Sequence, residues 1–240
     1  PFIVRTVMIY SLGSEYLGLS SLFTSVLNVL SLAELGVGSA MVYAMYKPIA
    51  ENDTDTVCGL MNLYRKIYKI IGVIIIIAGI AIMPFLRNFI SGNIPEDINI
   101  YVLFIIYLVN TAGSYLLFAY QASVLNASQR NDIASKVNMF TGIAKNLFQI
   151  AVLLLWRNYY DYVILLPVTS FAANIITAAC ARKMFPEYTC RGEVEPKLIK
   201  EIKSKVMALF AVKITSVIYN SVDSIVISAF LGLVALAKYN

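Results

Sequence analysis

Apolar segments near or above the roughly 20 residues that cross a hydrocarbon core recur along this chain, and that recurrence limits its fold more than any motif. They lie at about 17–46, 67–90, 101–125, 137–156, 162–181 and 206–231, with a partial one at 1–12. Backbone in lipid must bond to itself, so segments of this length read as helices. The expectation is an all-α, polytopic transmembrane bundle with six full spans and a partial first. Charge agrees, because only 14% of residues are charged and mean hydropathy is +0.74. A soluble domain carries about a quarter.

The net charge of +5 is unevenly distributed. Connections 47–66, 126–136 and 182–205 hold Lys47, Arg65, Lys66, Arg130, Lys136, Arg182, Lys183, Arg191, Lys197, Lys200, Lys203 and Lys205. The alternate connections hold Arg87, Arg157 and, after the last span, Lys238. The positive-inside rule then places the first set in the cytoplasm, and topology explains the basic balance without a nucleic-acid partner. Lysines 197–205 are placed to touch anionic lipid heads. Cys58, Cys180 and Cys190 fall on or near the reducing side and match no metal or redox spacing. Histidine is absent, which removes the commonest general base and metal ligand. No cofactor or metal is expected. The chain opens on Pro1 inside an apolar segment and stops just beyond a span, which reads as a piece of a larger protein.

Polar residues inside the spans form stripes. Lys145, in the middle of 137–156, shares a helical face with Asn138, Thr141 and Gln149 at steps of three and four. A cation at bilayer mid-depth costs roughly 2.5–3.5 kcal/mol on insertion scales, so the stripe reads as the wall of a polar cavity. Lys213, Ser216, Asn220 and Asp223 make a second stripe in 206–231, and Asn110, Ser114 and Gln121 a third in 101–125. Segment 17–46 carries Ser21, Ser25, Asn28, Ser31 and Glu34. Gly36 and Gly38 loosen it, and Lys47-Pro48 is expected to end it. The loop Glu51-Asn52-Asp53-Thr54-Asp55 can cap and start an amphipathic helix leading to Arg65 and Lys66. The stretch 70–82 has no polar side chain and can face lipid all round, whereas the alanines near Asn174 and Thr177 suit close helix packing. Pro95-Glu96-Asp97 reads as a short external turn.

Five ionisable groups fall at apparent membrane depth: Arg5, Glu34, Lys145, Lys213 and Asp223. The three cations either line one electropositive cavity suited to an anionic head group, or serve as structural ion pairs and snorkelling side chains. Glu34 and Asp223 either change protonation, coupling movement to protons or sodium, or neutralise a cation across a helix interface. Asn28, Asn110, Asn138, Thr141, Gln149 and Asn220 are the candidate polar lining. Leu12-Gly13 near Leu17-Gly18 is matched by Leu231-Gly232 near Leu236-Ala237, as expected of two related halves, the first being 1–205 with a linker at 182–205 and the second starting at 206–240.

The stretches Glu15-Tyr16-Leu17-Gly18-Leu19, Leu30-Ser31-Leu32-Ala33-Glu34-Leu35-Gly36-Val37-Gly38-Ser39-Ala40 and Tyr46-Lys47-Pro48-Ile49-Ala50-Glu51-Asn52-Asp53 resemble bacterial polysaccharide biosynthesis membrane proteins. These are lipid-linked oligosaccharide flippases of the multidrug/oligosaccharidyl-lipid/polysaccharide exporter superfamily. Asp223-Ser224-Ile225-Val226-Ile227-Ser228-Ala229-Phe230-Leu231-Gly232 is similar to that family's seventh helix. The resemblance implies the first half of a two-bundle transporter in the bacterial cytoplasmic membrane, alternating between inward-open and outward-open forms. Its implied cargo is an undecaprenyl-diphosphate-linked glycan, with Arg5 and Lys145 as candidate holders and polysaccharide polymerisation machinery as a possible neighbour. A cation-coupled drug exporter of the same superfamily is the alternative. A membrane transferase normally needs histidine or clustered carboxylates, and Asp53 with Asp55 is the nearest pair, so the expectation is a protein that is not an enzyme.

Overall fold

The computed structural model describes residues 2–34, 36–91 and 94–239, and side chains there except those of Ala33, Val212, Ser216, Ile218 and Asn220. All regular structure among the described residues is helical: α1 Phe2–Ser11, α2 Ser14–Leu30, α3 Val37–Ala50, α4 Thr54–Ile82, α5 Ile100–Leu116, α6 Ala122–Ala127, α7 Asn131–Leu155, α8 Tyr159–Met184, α9 Pro196–Leu231 and α10 Leu233–Tyr239. Three spans are long and apolar enough to cross a membrane, Thr54–Phe89, Asn131–Leu155 and Tyr159–Met184. The pair Ile100–Leu116 and Ala119–Ala127 makes a fourth if its 45° bend is crossed as one span. Phe2–Ser11 is a shorter apolar helix, and Ser221–Leu231 is an apolar stretch at the end of the longer α9. The chain is therefore a multi-pass, all-helical membrane protein; among the described residues three or four helices have the length and composition of a full span, and the full count of six read from hydropathy is not reached by them alone.

Two of the apolar segments are interrupted, each for a local reason. Segment 17–46 does not run as one helix. It passes through a 3-10 turn at Ser31–Glu34 and breaks at Gly36, whose φ of 88° is left-handed. A Cβ on Gly36 would lie 2.8 Å from Leu209 Cβ and 3.0 Å from the Val206 carbonyl, so the missing side chain also lets α9 close on the break. Segment 101–125 bends after Leu116, where Phe118 takes a φ of 57°. That conformation is costly for a bulky residue, and the Arg182 guanidinium lies over the Phe118 ring at 4.8 Å. No glycine or proline announces this bend. Pro48 does not stop α3, which continues to Ala50 with the proline buried inside it. Near a helix end proline removes one intrahelical bond. The end itself comes at Asn52 (φ 57°), where Asn52 N–H reaches the Ile49 carbonyl at 3.2 Å and Asp53 N–H the Pro48 carbonyl at 2.9 Å.

Asp53 then caps α4, accepting from the Thr56 N–H at 3.0 Å, and the Thr56 side chain together with that N–H holds its carboxyl below the usual range. The stretch read as a linker, 182–205, is irregular only at 185–195, because α9 starts at Pro196 and runs for 36 residues. The irregular part is fixed to α4: Thr189 N–H donates to Cys58 Sγ at 3.2 Å and Asn62 donates to the Gly192 carbonyl at 2.9 Å. Cys58, Cys180 and Cys190 are free thiols, and burial pushes the Cys190 thiol up.

Two joints have the same build. Gly13 (φ 123°) separates α1 from α2, and Gly232 (φ 86°) separates α9 from α10. The second helices of the two joints, α2 and α10, pack on each other. Gly18 carries this contact, since a Cβ there would collide with the backbone of Leu233. Elsewhere α7 packs on α8, α8 on α5 and α5 on α4. Gly18→Ala should therefore destabilise the fold by about 1–3 kcal/mol, because backbone must move to admit the methyl. Glycine-to-alanine in a free helical position would stabilise by about 0.5–1 kcal/mol, so the sign of the shift in thermal unfolding in detergent micelles decides the matter.

Candidate functional site

Two polar ladders face each other across a cavity of about 530 Å³. On α2, Ser21, Thr24, Ser25 and Asn28 follow the i, i+3, i+4, i+7 spacing that puts side chains on one helical face. On α7, Gly142, Lys145, Asn146 and Gln149 repeat that spacing. Arg5 from α1, Ser20 from α2, Tyr162 from α8 and Ser224 from α9 complete the polar wall, with Val4, Leu17 and Leu166 as its apolar part. The volume suits a small-ligand or head-group site, for which about 300–1,000 Å³ is usual.

The wall is well supported. Gln149 is buried and donates to the Tyr162 carbonyl at 3.4 Å, tying α7 to α8. Tyr107 on α5 donates to Ser20 at 2.9 Å, and Tyr159 donates to the Tyr16 carbonyl at 2.9 Å. Tyr16 reaches Asp97 at 2.6 Å, so α2 is anchored from the cavity to the turn before α5. The lining holds two cations, Arg5 and Lys145, three amides and a row of hydroxyls, and no carboxylate. Such a wall attracts anions and offers both donors and acceptors to a hydroxyl-rich ligand.

Of the candidates, Arg5, Lys145, Asn28 and Gln149 come together here. Asn138 is exposed one to two turns away, and the Thr141 hydroxyl bonds back to the Val137 carbonyl at 2.8 Å; neither lines the cavity. Asn110 lies outside it, with its Oδ1 buried and without a partner. The Asn220 side chain, like Ser216, lies outside the described residues. Asp223 is exposed and accepts from the Tyr239 hydroxyl at 2.9 Å.

Lys213 and Glu34 belong to a different place. A second cavity of about 570 Å³ is lined by Glu34, Ser39, Tyr43, Tyr46, Tyr64, Tyr68, Ser123 and Asn126, among others. Tyr64 donates to Tyr68 at 2.6 Å, and Tyr68 donates to Glu34 Oε1 at 3.1 Å. Lys213 reaches Ser39 at 3.4 Å and lies within electrostatic range of Glu34. Of the three cations, Arg5 and Lys145 line the first cavity, whereas Lys213 touches Ser39 at the edge of the second. Asn146, Thr24, Tyr162 and Ser224 were not singled out from the sequence. The spacing of Thr24 beside Ser21 and Asn28 carried a signal, whereas Tyr162 and Ser224 looked like ordinary helix positions.

A family model described as polysaccharide biosynthesis protein matches residues 1–240. No match was found among curated proteins or among solved structures.

The charge of the first cavity is testable with cysteines placed in a variant whose three native thiols are removed. Ser21→Cys and Asn146→Cys should react with water-soluble thiosulfonates, and the anionic reagent should outpace the cationic one by about tenfold. Leu147→Cys, on the exposed apolar face of α7, should react with neither. Equal rates for the two charges would remove the electropositive reading of the cavity.

Proposed function

The chain belongs to the polysaccharide biosynthesis protein family, and from that premise we propose that it carries a lipid-linked oligosaccharide across the bacterial cytoplasmic membrane by alternating access. The observation that supports this reading is the slot between α2 and α7, which combines two cations with hydroxyl and amide ladders and no carboxylate. A head group made of phosphate and sugar is too polar to cross hydrocarbon alone. In the slot, Arg5 and Lys145 take the anionic part as charge-assisted partners. Asn28, Asn146, Gln149 and the α2 hydroxyls take over hydrogen bonds that water would make to sugar. The lipid tail stays in the membrane beside the exposed apolar face of α7. No covalent bond is made or broken, so the protein acts as a transporter and not an enzyme.

The second cavity is the place for energy coupling in this scheme. Glu34, held by Tyr68, changes charge when it takes up a proton, and that change alters its attraction for Lys213 on α9. Sodium is the other candidate ion. Asp223, bound to Tyr239 at an exposed site, is the weaker coupling candidate. The same cavity favours one competing reading, because a carboxylate among four tyrosines is also a receptor for organic cations, as a multidrug exporter requires.

Deletion of the full-length gene should make lipid-linked repeat units accumulate on the cytoplasmic leaflet. Lys145→Ala should lower export by about ten- to a hundredfold at normal protein abundance, the usual worth of a hydrogen bond to a charged group. Lys145→Arg should retain most of it. Wild-type export by Lys145→Ala, together with lost resistance to cationic dyes in the deletion strain, would favour the drug-export reading.

A further inference from the structure

Glycine is a poor helix former, and in the middle of a span it needs a reason. For Gly18, Gly38, Gly59, Gly72, Gly79 and Gly113 the reason is contact, since a Cβ on each would lie within 3.0 Å of a neighbouring atom. Gly142 differs: a Cβ there meets nothing within 4 Å. It is the only such helical glycine among the described residues, and it lies on the cavity wall in the same ladder as Lys145, Asn146 and Gln149. Packing does not demand this glycine. The space over it belongs to the cavity.

We infer that Gly142 is a specificity-determining residue, keeping room for the sugar joined directly to the charged phosphate of the cargo. This rests on the reading of the cavity as a head-group site. Gly142 and Lys145 stand three residues apart on one face, so their ladder positions are roughly 5–6 Å apart. That separation lets a phosphate held at Lys145 carry its first sugar over Gly142, the one position of this ladder without a side chain. The bare backbone lets the flat face of a pyranose approach, while Asn28 and Asn146 reach its edge hydroxyls. A methyl at 142 enters that volume with no atom of the described residues beyond its own helix within 4 Å of it, and a longer side chain extends further into the cavity. It leaves the cationic site intact and removes the seat of the sugar.

The test uses the purified full-length protein and two probes, a short prenyl diphosphate and the same molecule bearing one N-acetylated sugar. Gly142→Leu should weaken binding of the sugar-bearing probe by about tenfold or more and leave the sugar-free probe unchanged. Gly142→Ala should give a smaller loss in the same direction, with thermal stability at or above wild type, so the result does not depend on the leucine variant folding well. Lys145→Ala should weaken both probes. Equal loss of both probes in the Gly142 variants, or loss of neither, overturns the inference. Unchanged binding of both probes by Lys145→Ala would instead overturn the head-group reading on which it rests.

Discussion

A polar side chain inside hydrocarbon has to meet other polar groups or water, and the arrangement of α2 against α7 follows from that requirement. Each helix alone carries a ladder that lipid would reject. Facing each other, with Arg5 and Tyr162 at the sides, the ladders line a polar slot and leave apolar residues such as Ile143, Leu147 and Phe148 on the outer face of α7. The pairing is held from behind by Gln149 on the Tyr162 carbonyl and by Tyr107 on Ser20. The polar lining of the slot and the packing of its helices thus rest on the same residues.

The two cavities have opposite electrical character. One holds Arg5 and Lys145 with no acid among its lining; the other holds Glu34 among tyrosines, with Lys213 reaching its rim through Ser39. Separation of the charges matters. A carboxylate placed beside Lys145 would compete with an anionic ligand for the same ammonium, whereas Glu34 engages a cation that the first cavity does not use. The break at Gly36 permits this, because the turn at Ser31–Glu34 swings Glu34 toward α4 and away from the ladder that Asn28 ends.

Much of this could be read from residue order. Apolar runs gave the helical membrane architecture, and of the stripe read around Lys145 only Lys145 and Gln149 line the slot, beside Gly142 and Asn146. Gly36 was a visible weak point, and the loop 51–55 a visible capping segment. What could not be read depended on contacts between distant segments. The bend at Phe118 has no breaker residue and is held by Arg182, 64 positions later. Pro48 looked like a stop, but the position of Asn52 decided where α3 ended. Lys213 resembled Lys145 in its setting, yet the docking of α9 on Gly36 sent it to the other cavity. Thr141 had the right spacing, but its hydroxyl was already satisfied by its own helix.

Helix α9 has no break among its 36 residues, which gives a rod of about 54 Å. It contributes Lys213 near the acidic cavity and Ser224 to the cationic one, about 16 Å apart along its axis. A stiff rod cannot tilt at one of these points and stay still at the other. Any event that loosens its grip on the Gly36 turn is therefore delivered, as leverage, to the wall where the ligand would rest.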